Sequence, residues 1–245
     1  MAPFIGVLGG AGPTASAEFV RTIYQHATGK IEQEYPSVVL DSVPGMSQRS
    51  VLLAGGAADG LRDHTARRLE LLYSHGADAV VICCMTLHEL LPSLPAWLSR
   101  PVASVIDALI DDVAQNQRPA LILTSMETRK LGLLTNYPRW TEIEHLITWP
   151  DLDDHERLLE AIWDIKLNRG TAAGLRWLDK CLPKYDVAAY VAGCSEIHVL
   201  AKATEPGLAV DPFDTLAHAA ANGDIMRYTI GRRADGASSL ARRKA

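Results

Sequence analysis

The sequence predicts an α/β protein built from mostly parallel sheets flanked by helices, with the same order of elements used twice. Three observations carry this. Short apolar runs alternate with longer amphipathic stretches, the pattern of strand–helix–strand crossovers. The strand-then-turn order recurs in the second half of the chain. In each half a strand delivers a cysteine to a helix start roughly 70 to 76 residues after an earlier strand ends, from Leu8 to Cys84 and from Leu123 to Cys194. Residue identity between the halves is weak, so the repeat is one of pattern.

Taken in order, the run 4–8 (FIGVL) predicts a buried strand that enters a glycine turn, and Pro13 sits at a favourable first helical position before a helix over 14–28. Residues 38–42 (VVLDS) predict a second strand, 61–74 a helix with Leu61, Leu69 and Leu72 on one face, and 79–83 (AVVIC) a third strand followed by a helix over 86–91. Pro92 and Pro95 break the chain. In the second half, strands are expected at 120–124, 143–147, 187–192 and 208–210, with helices over 128–135, 155–168, 172–181 and 212–230.

The 245 residues suffice for one large α/β unit or two small ones. Hydrophobic residues make up 48% and charged residues 22%, an ordinary globular balance. A net charge of −5 argues against nucleic acid or an anionic membrane as partner, while leaving room for a locally basic site that takes a small anion. The first residues lack the basic start and apolar run of a signal peptide, and no apolar run reaches the ~20 residues of a membrane helix, so the expected location is the cytoplasm. The four cysteines, Cys83, Cys84, Cys181 and Cys194, form no C-x-x-C pair and no zinc spacing; they are expected to be thiols, with no metal site. The basic, Gly/Ser/Ala-rich stretch 231–245 reads as a flexible tail.

Cys84 and Cys194 share a context: a hydrophobic strand ends, the cysteine follows, and a helix begins, in VVICCMTLHEL and YVAGCSEIHVL. Ligands of open α/β sheets bind beyond the carboxyl ends of strands. A helix N-terminus there is expected to lower a thiol's pKa and to hold a carboxylate. Cys83 alternates with Cys84 and should point elsewhere, and Cys181 lacks this context; both read as packing residues. His88 and His198 each lie four residues beyond a cysteine, on the same face of a helix if the segments are helical. Each could pack, tune the thiol or supply half of a metal site, though no further ligand pair is evident.

These segments resemble the aspartate/glutamate racemase superfamily, and most of all its aspartate racemase branch. IGVLGGAGPTAS is similar to that branch's IGxLGGMGPxAT, and Gln33-Glu34-Tyr35-Pro36 to its QExP segment. Cys84, Thr86 and His88 match a C-N-T-x-H block, AGCSEI matches a G-C-T-E block, and Asp211-Pro212 matches an Asp-Pro near the family's C-terminus; the likeness covers about residues 4–220. It implies two pseudo-symmetric domains, 1–100 with 208–230 and 101–207, with the active site in the cleft between them. It also implies racemisation without pyridoxal phosphate or any other cofactor: one thiolate removes the α-proton of an amino acid, the other thiol protonates the opposite face, and donors around the carboxylate stabilise the carbanion. The implied binding residues are Gly10 and its neighbours to Gly12, Thr14, Thr86, Ser125, Thr128, Ser195 and Glu196, with Arg49 and Lys166 as cations for a carboxylate. A homodimer is the implied assembly.

Two positions depart from the pattern. Met85 stands where the family has an asparagine that can donate to a developing anion, and Glu127 stands in a turn that usually carries small or hydroxyl residues. Beside racemisation of aspartate or glutamate, the sequence therefore leaves open another reaction on a small carboxylate (maleate isomerisation, hydantoin racemisation or a decarboxylation) and a carboxylate-binding protein without turnover.

Overall fold

The computed structural model describes residues 3–45 and 58–234. Its strands are the short apolar runs of the sequence, gathered into two separate parallel sheets. The first is β1 (Ile5–Leu8), β2 (Val38–Asp41) and β3 (Ala79–Ile82), in the order β2-β1-β3. The second is β4 (Ala120–Leu123), β5 (Ile147–Thr148), β6 (Tyr190–Ala192) and β7 (Ala209–Val210), in the order β5-β4-β6-β7. Leu8 pairs with Ile82 in one and Leu123 with Ala192 in the other, so both central pairs end level with each other just before a cysteine.

Side chains alternate across each sheet and fill three cores. Val7, Val81, Ile122 and Val191 face a core common to both halves. Leu8, Val80 and Ile82 face a core of the first half, with Leu69 and Leu72 of α2 (Ala58–Ser74). Leu121, Leu123 and Tyr190 face a core of the second, with Leu158 and Ile162 of α6 (Leu152–Lys166). The shared core is closed by α1 (Pro13–His26), α4 (Val105–Asn116) and α9 (Pro212–Ala221), whose Phe19, Leu109 and Phe213 are fully buried. The C-terminal helix α9 packs on both α1 and α4. The remaining helices are α3 (Ala96–Ser99), α5 (Met126–Lys130), α7 (Ala172–Lys184) and α8 (Ser195–Ala201).

The structure differs from the sequence-based expectations at several places. Helix α4 was not anticipated: it carries buried residues at nearly every position of its first two turns, so it shows no polar face there to give a helical period. The strand expected at 143–147 is mostly a 3-10 turn, Glu144–Leu146, with Ile143 and Leu146 buried at the three-residue spacing of such a turn. Helix α5 begins before residue 128, because Ser125 caps it by accepting from the Thr128 amide, and it stops before Gly132, whose φ is +63°. The segment after Cys84 is a 3-10 helix, Met85–Ser93, rather than an α-helix. Helix α9 ends at Ala221, where Asn222-Gly223 turns the chain with Gly223 at φ +79°. In the expected flexible tail, residues 231–234 are helical, and Arg233 bonds Asp111; the rest of the tail lies outside the described residues. Among the described residues no helix is long and apolar enough to cross a membrane.

Candidate active site

Each sheet ends at the same face of the molecule in a turn set by backbone hydrogen bonds. The Cys83 amide donates to the Leu8 carbonyl at 2.9 Å, and the Gly193 amide donates to the Leu123 carbonyl at 2.9 Å. The next residue in each case is extended and caps the helix that follows: Cys84 before the 3-10 turn and Cys194 before α8. Cys83 turns into the shared core, as alternation requires. Gly193 has no room for a side chain, since a Cβ there would lie 2.6 Å from Thr124 Cγ2. The β1 turn has the same constraint: Gly10 has φ +81°, and a Cβ would strike the Val43 backbone at 2.5 Å.

Cys84 and Cys194 line one cleft, with a volume of about 420 Å³. Gly10, Thr86, Ser125, Lys166, Ser195 and Glu196 line it too, as do Met85 and Glu127. Thr128 stands one layer behind, its hydroxyl 3.1 Å from both Thr86 Oγ1 and Ser125 Oγ, so three hydroxyls from the two halves form a cluster. Thr14 is half-buried in the first turn of α1 and is not part of the cleft wall. Arg49 lies outside the described residues.

Among the described residues neither histidine hydrogen-bonds a cysteine sulfur. His88 donates from Nδ1 to the Cys84 carbonyl at 3.2 Å, and burial pushes its pKa down, so it is a neutral buttress of the turn. His198 bonds Asp211 Oδ2 through Nδ1 at 2.7 Å, while its Nε2 meets the Thr22 hydroxyl at 3.2 Å. Both pairings hold backbone and helices together and leave thiol tuning to other groups. Among the described residues no cluster has the makings of a metal site.

The expectation of a lowered thiol pKa fails at Cys194. Burial pushes this thiol well up, and the Glu196 carboxylate pushes it further, against an opposing pull from Lys166. The Cys194 thiol donates to Glu196 Oε2 at 2.8 Å. A nearby anion and the loss of water outweigh any help from one short helix.

Sequence reasoning missed one wall of the cleft, formed by Leu159, Ile162, Trp163 and Leu167 of the α6 region. Trp163 and Leu167 are 54% and 52% exposed although large and apolar. They flank Lys166, whose Nζ lies 5.1 Å from the Trp163 ring centroid. The signal was present: two large apolar residues fall off the buried stripe of an otherwise amphipathic helix. A second cavity, about 490 Å³ and lined by Asp112, Asp211, Asp214 and Lys202, lies away from the cysteines.

The sequence pattern of the Asp/Glu/hydantoin racemases matches residues 8–222. The chain belongs to that family. Its fold is also that of solved members. An aspartate racemase from Picrophilus torridus superposes with a TM-score of 0.77 at 18% identity, over 94% of this chain and 98% of that one. An aspartate racemase homologue from Pyrococcus horikoshii OT3 gives 0.65 at 17% identity, over 90% and 98%. A glutamate racemase from Thermus thermophilus gives 0.51 at 20% identity, over 90% and 80%. At such identities the likeness concerns architecture; the chemistry of this racemase-family cleft follows from its own residues.

Proposed function

We propose that the protein is a cofactor-independent racemase of a small amino acid, aspartate- or glutamate-like, with Cys84 and Cys194 as opposed base and acid. The observation that carries this is the presence of both cysteines, one from each sheet, on the wall of one cleft. The thiolate of Cys84 takes the Cα proton. The C–H electron pair stays on Cα and spreads into the carboxylate, and the Cys194 thiol delivers its proton to the other face, becoming the thiolate. The reverse reaction exchanges the roles. The hydroxyls of Thr86, Ser125 and Ser195 are the donors proposed for the carboxylate and its developing charge. Lys166 supplies a cation, and Arg49 is proposed as a second one. Glu196 Oε1 is buried without a hydrogen-bond partner against the glycine turn of the first half. In the same proposal residues 1–100 with 208–230 form one domain and 101–207 the other.

A second reading concerns the side chain. Leu159, Trp163 and Leu167 give the cleft an apolar wall, and Glu127 adds a negative charge. Both features favour a substrate with an uncharged side chain over a dicarboxylate. A panel of L-amino acids, including aspartate, glutamate, their amides and aliphatic residues, separated by chiral chromatography after incubation, decides between them. Appearance of the D-enantiomer from acidic substrates supports the first reading, and its appearance only from uncharged ones supports the second. Inversion of none of them would overturn racemase function.

A further inference from the structure

The two cleft thiols have unequal surroundings. Glu196 Oε2 accepts from the Cys194 thiol at 2.8 Å and from the Ser195 hydroxyl at 3.2 Å. The carboxylate is 2% exposed, and its other oxygen lies against the glycine turn of the first half, where a Cβ at Gly12 would be 2.2 Å away. Its position is therefore fixed from both sides of the cleft. At Cys84 the residue in the corresponding place is Thr86, whose hydroxyl joins the Ser125–Thr128 cluster. Cys83, the adjacent titratable group, is buried in the shared core, and His88 is bonded to the Cys84 carbonyl. No hydrogen bond from the Cys84 sulfur is present among the described residues.

We propose that Glu196 is a positioning residue that keeps the proton on Cys194 in the ligand-free cleft. A carboxylate at this distance can accept a hydrogen bond only while the sulfur is protonated. Ionisation would set two negative charges side by side in a site shielded from water. The other charged groups facing the cleft divide: Lys166 on α6 favours the Cys194 thiolate, and Glu127 on α5 adds negative charge. Burial and Glu196 prevail over Lys166. Within the two-thiol reading, on which only this consequence rests, Cys194 enters the cycle as the acid.

The test is alkylation of the full chain by iodoacetamide across a pH series, resolved by site with mass spectrometry. Thiolates alkylate and thiols do not, so the midpoint of each curve reports ionisation independently of access. The expected midpoint for Cys194 lies well above the ordinary thiol range. Glu196→Gln, whose amide can donate to a thiolate, should lower the Cys194 midpoint by about one unit or more and leave that of Cys84 in place. Glu196→Asp should keep part of the difference. A Cys194 midpoint within the ordinary thiol range in the wild type would overturn the proposal without any variant. So would a Glu196→Gln protein in which neither curve moves or both move together. The assay needs no substrate, so a failed racemase reading appears separately, as a raised Cys194 midpoint in a protein that inverts nothing.

Discussion

The turns at Cys84 and Cys194 share a backbone and differ in their chemistry. Both follow a strand whose next amide bonds the end of the neighbouring central strand, and both present an extended cysteine at the cap of a helical segment. Beyond the sulfur they part. Met85-Thr86 opens a 3-10 turn whose hydroxyl joins a cluster, and Ser195-Glu196 opens an α-helix whose carboxylate grips the thiol. Placement is set by hydrogen bonds that depend little on side chains. Proton affinity at Cys194 is raised first by burial and then by the Glu196 carboxylate. A repeated fold can therefore supply two like-placed groups and still give them different hydrogen-bond partners.

The strongest way to break the comparison is to remove either sulfur. Cys84→Ala and Cys194→Ala should each lower turnover by about 10²–10⁴-fold, the range for a positioned acid or base. Chiral chromatography with the accepted substrate checks this, and a variant that retains inversion would show that its cysteine is not needed. Next is Gly12→Ala. Gly12 is extended, so alanine suits its backbone, and the obstacle is Glu196 Oε1 at 2.2 Å from the new methyl. Displacing Glu196 should cost about 10²-fold in turnover, comparable to losing one fixed polar group in an active site. It should also move the alkylation curve of Cys194 alone. An unchanged rate would mean that Glu196 has slack that the geometry does not show.

Met85→Asn sharpens the first turn. It places an amide donor next to Cys84, at a cleft-lining residue whose side chain is now buried in the shared core. Turnover of acidic substrates should rise about tenfold, with a stability loss of about 1–2 kcal/mol for burying a partly satisfied amide, both read from kinetics and denaturant midpoints. His88→Gln should give the smallest effect. Burial lowers the pKa of His88, so the unfolded chain binds its proton more readily than the folded one. This group's contribution to stability is whole above its unfolded pKa of about 6.5 and declines as pH falls through the folded value. The loss of stability between neutral pH and mild acid should be about 1 kcal/mol smaller in His88→Gln than in the wild type, measured by urea midpoints at each pH. Equal acid slopes would place the His88 titration outside the folding equilibrium.

The sequence carried the parallel strands, the double order and the position of each cysteine at a strand end, because apolar runs and glycine turns are local signals. Helix α4 escaped because burial of Val105 to Ile110 erases helical periodicity. The histidine roles at 88 and 198 were legible only as spacing. Their actual partners, the Cys84 carbonyl on one hand and Asp211 and Thr22 on the other, depend on a 3-10 turn and on helices α1 and α9 that come together only in the fold. The rise in Cys194 pKa was hidden for a similar reason: the sequence placed Glu196 two residues away, and only the fold aims its carboxylate at the sulfur. The apolar wall around Trp163 lay in plain view as residues out of register on α6, yet which cleft they line is a matter of how the second half packs.

Opposed thiols leave an isotopic signature that a single base does not. When the L-enantiomer of an accepted substrate is incubated in deuterium oxide and sampled early, both thiols exchange with solvent before the substrate arrives. The D-product should then carry deuterium at Cα while the recovered L-substrate remains almost unlabelled. Equal labelling of product and recovered substrate, or transfer of the original proton into the product, would contradict a base and an acid acting from opposite faces.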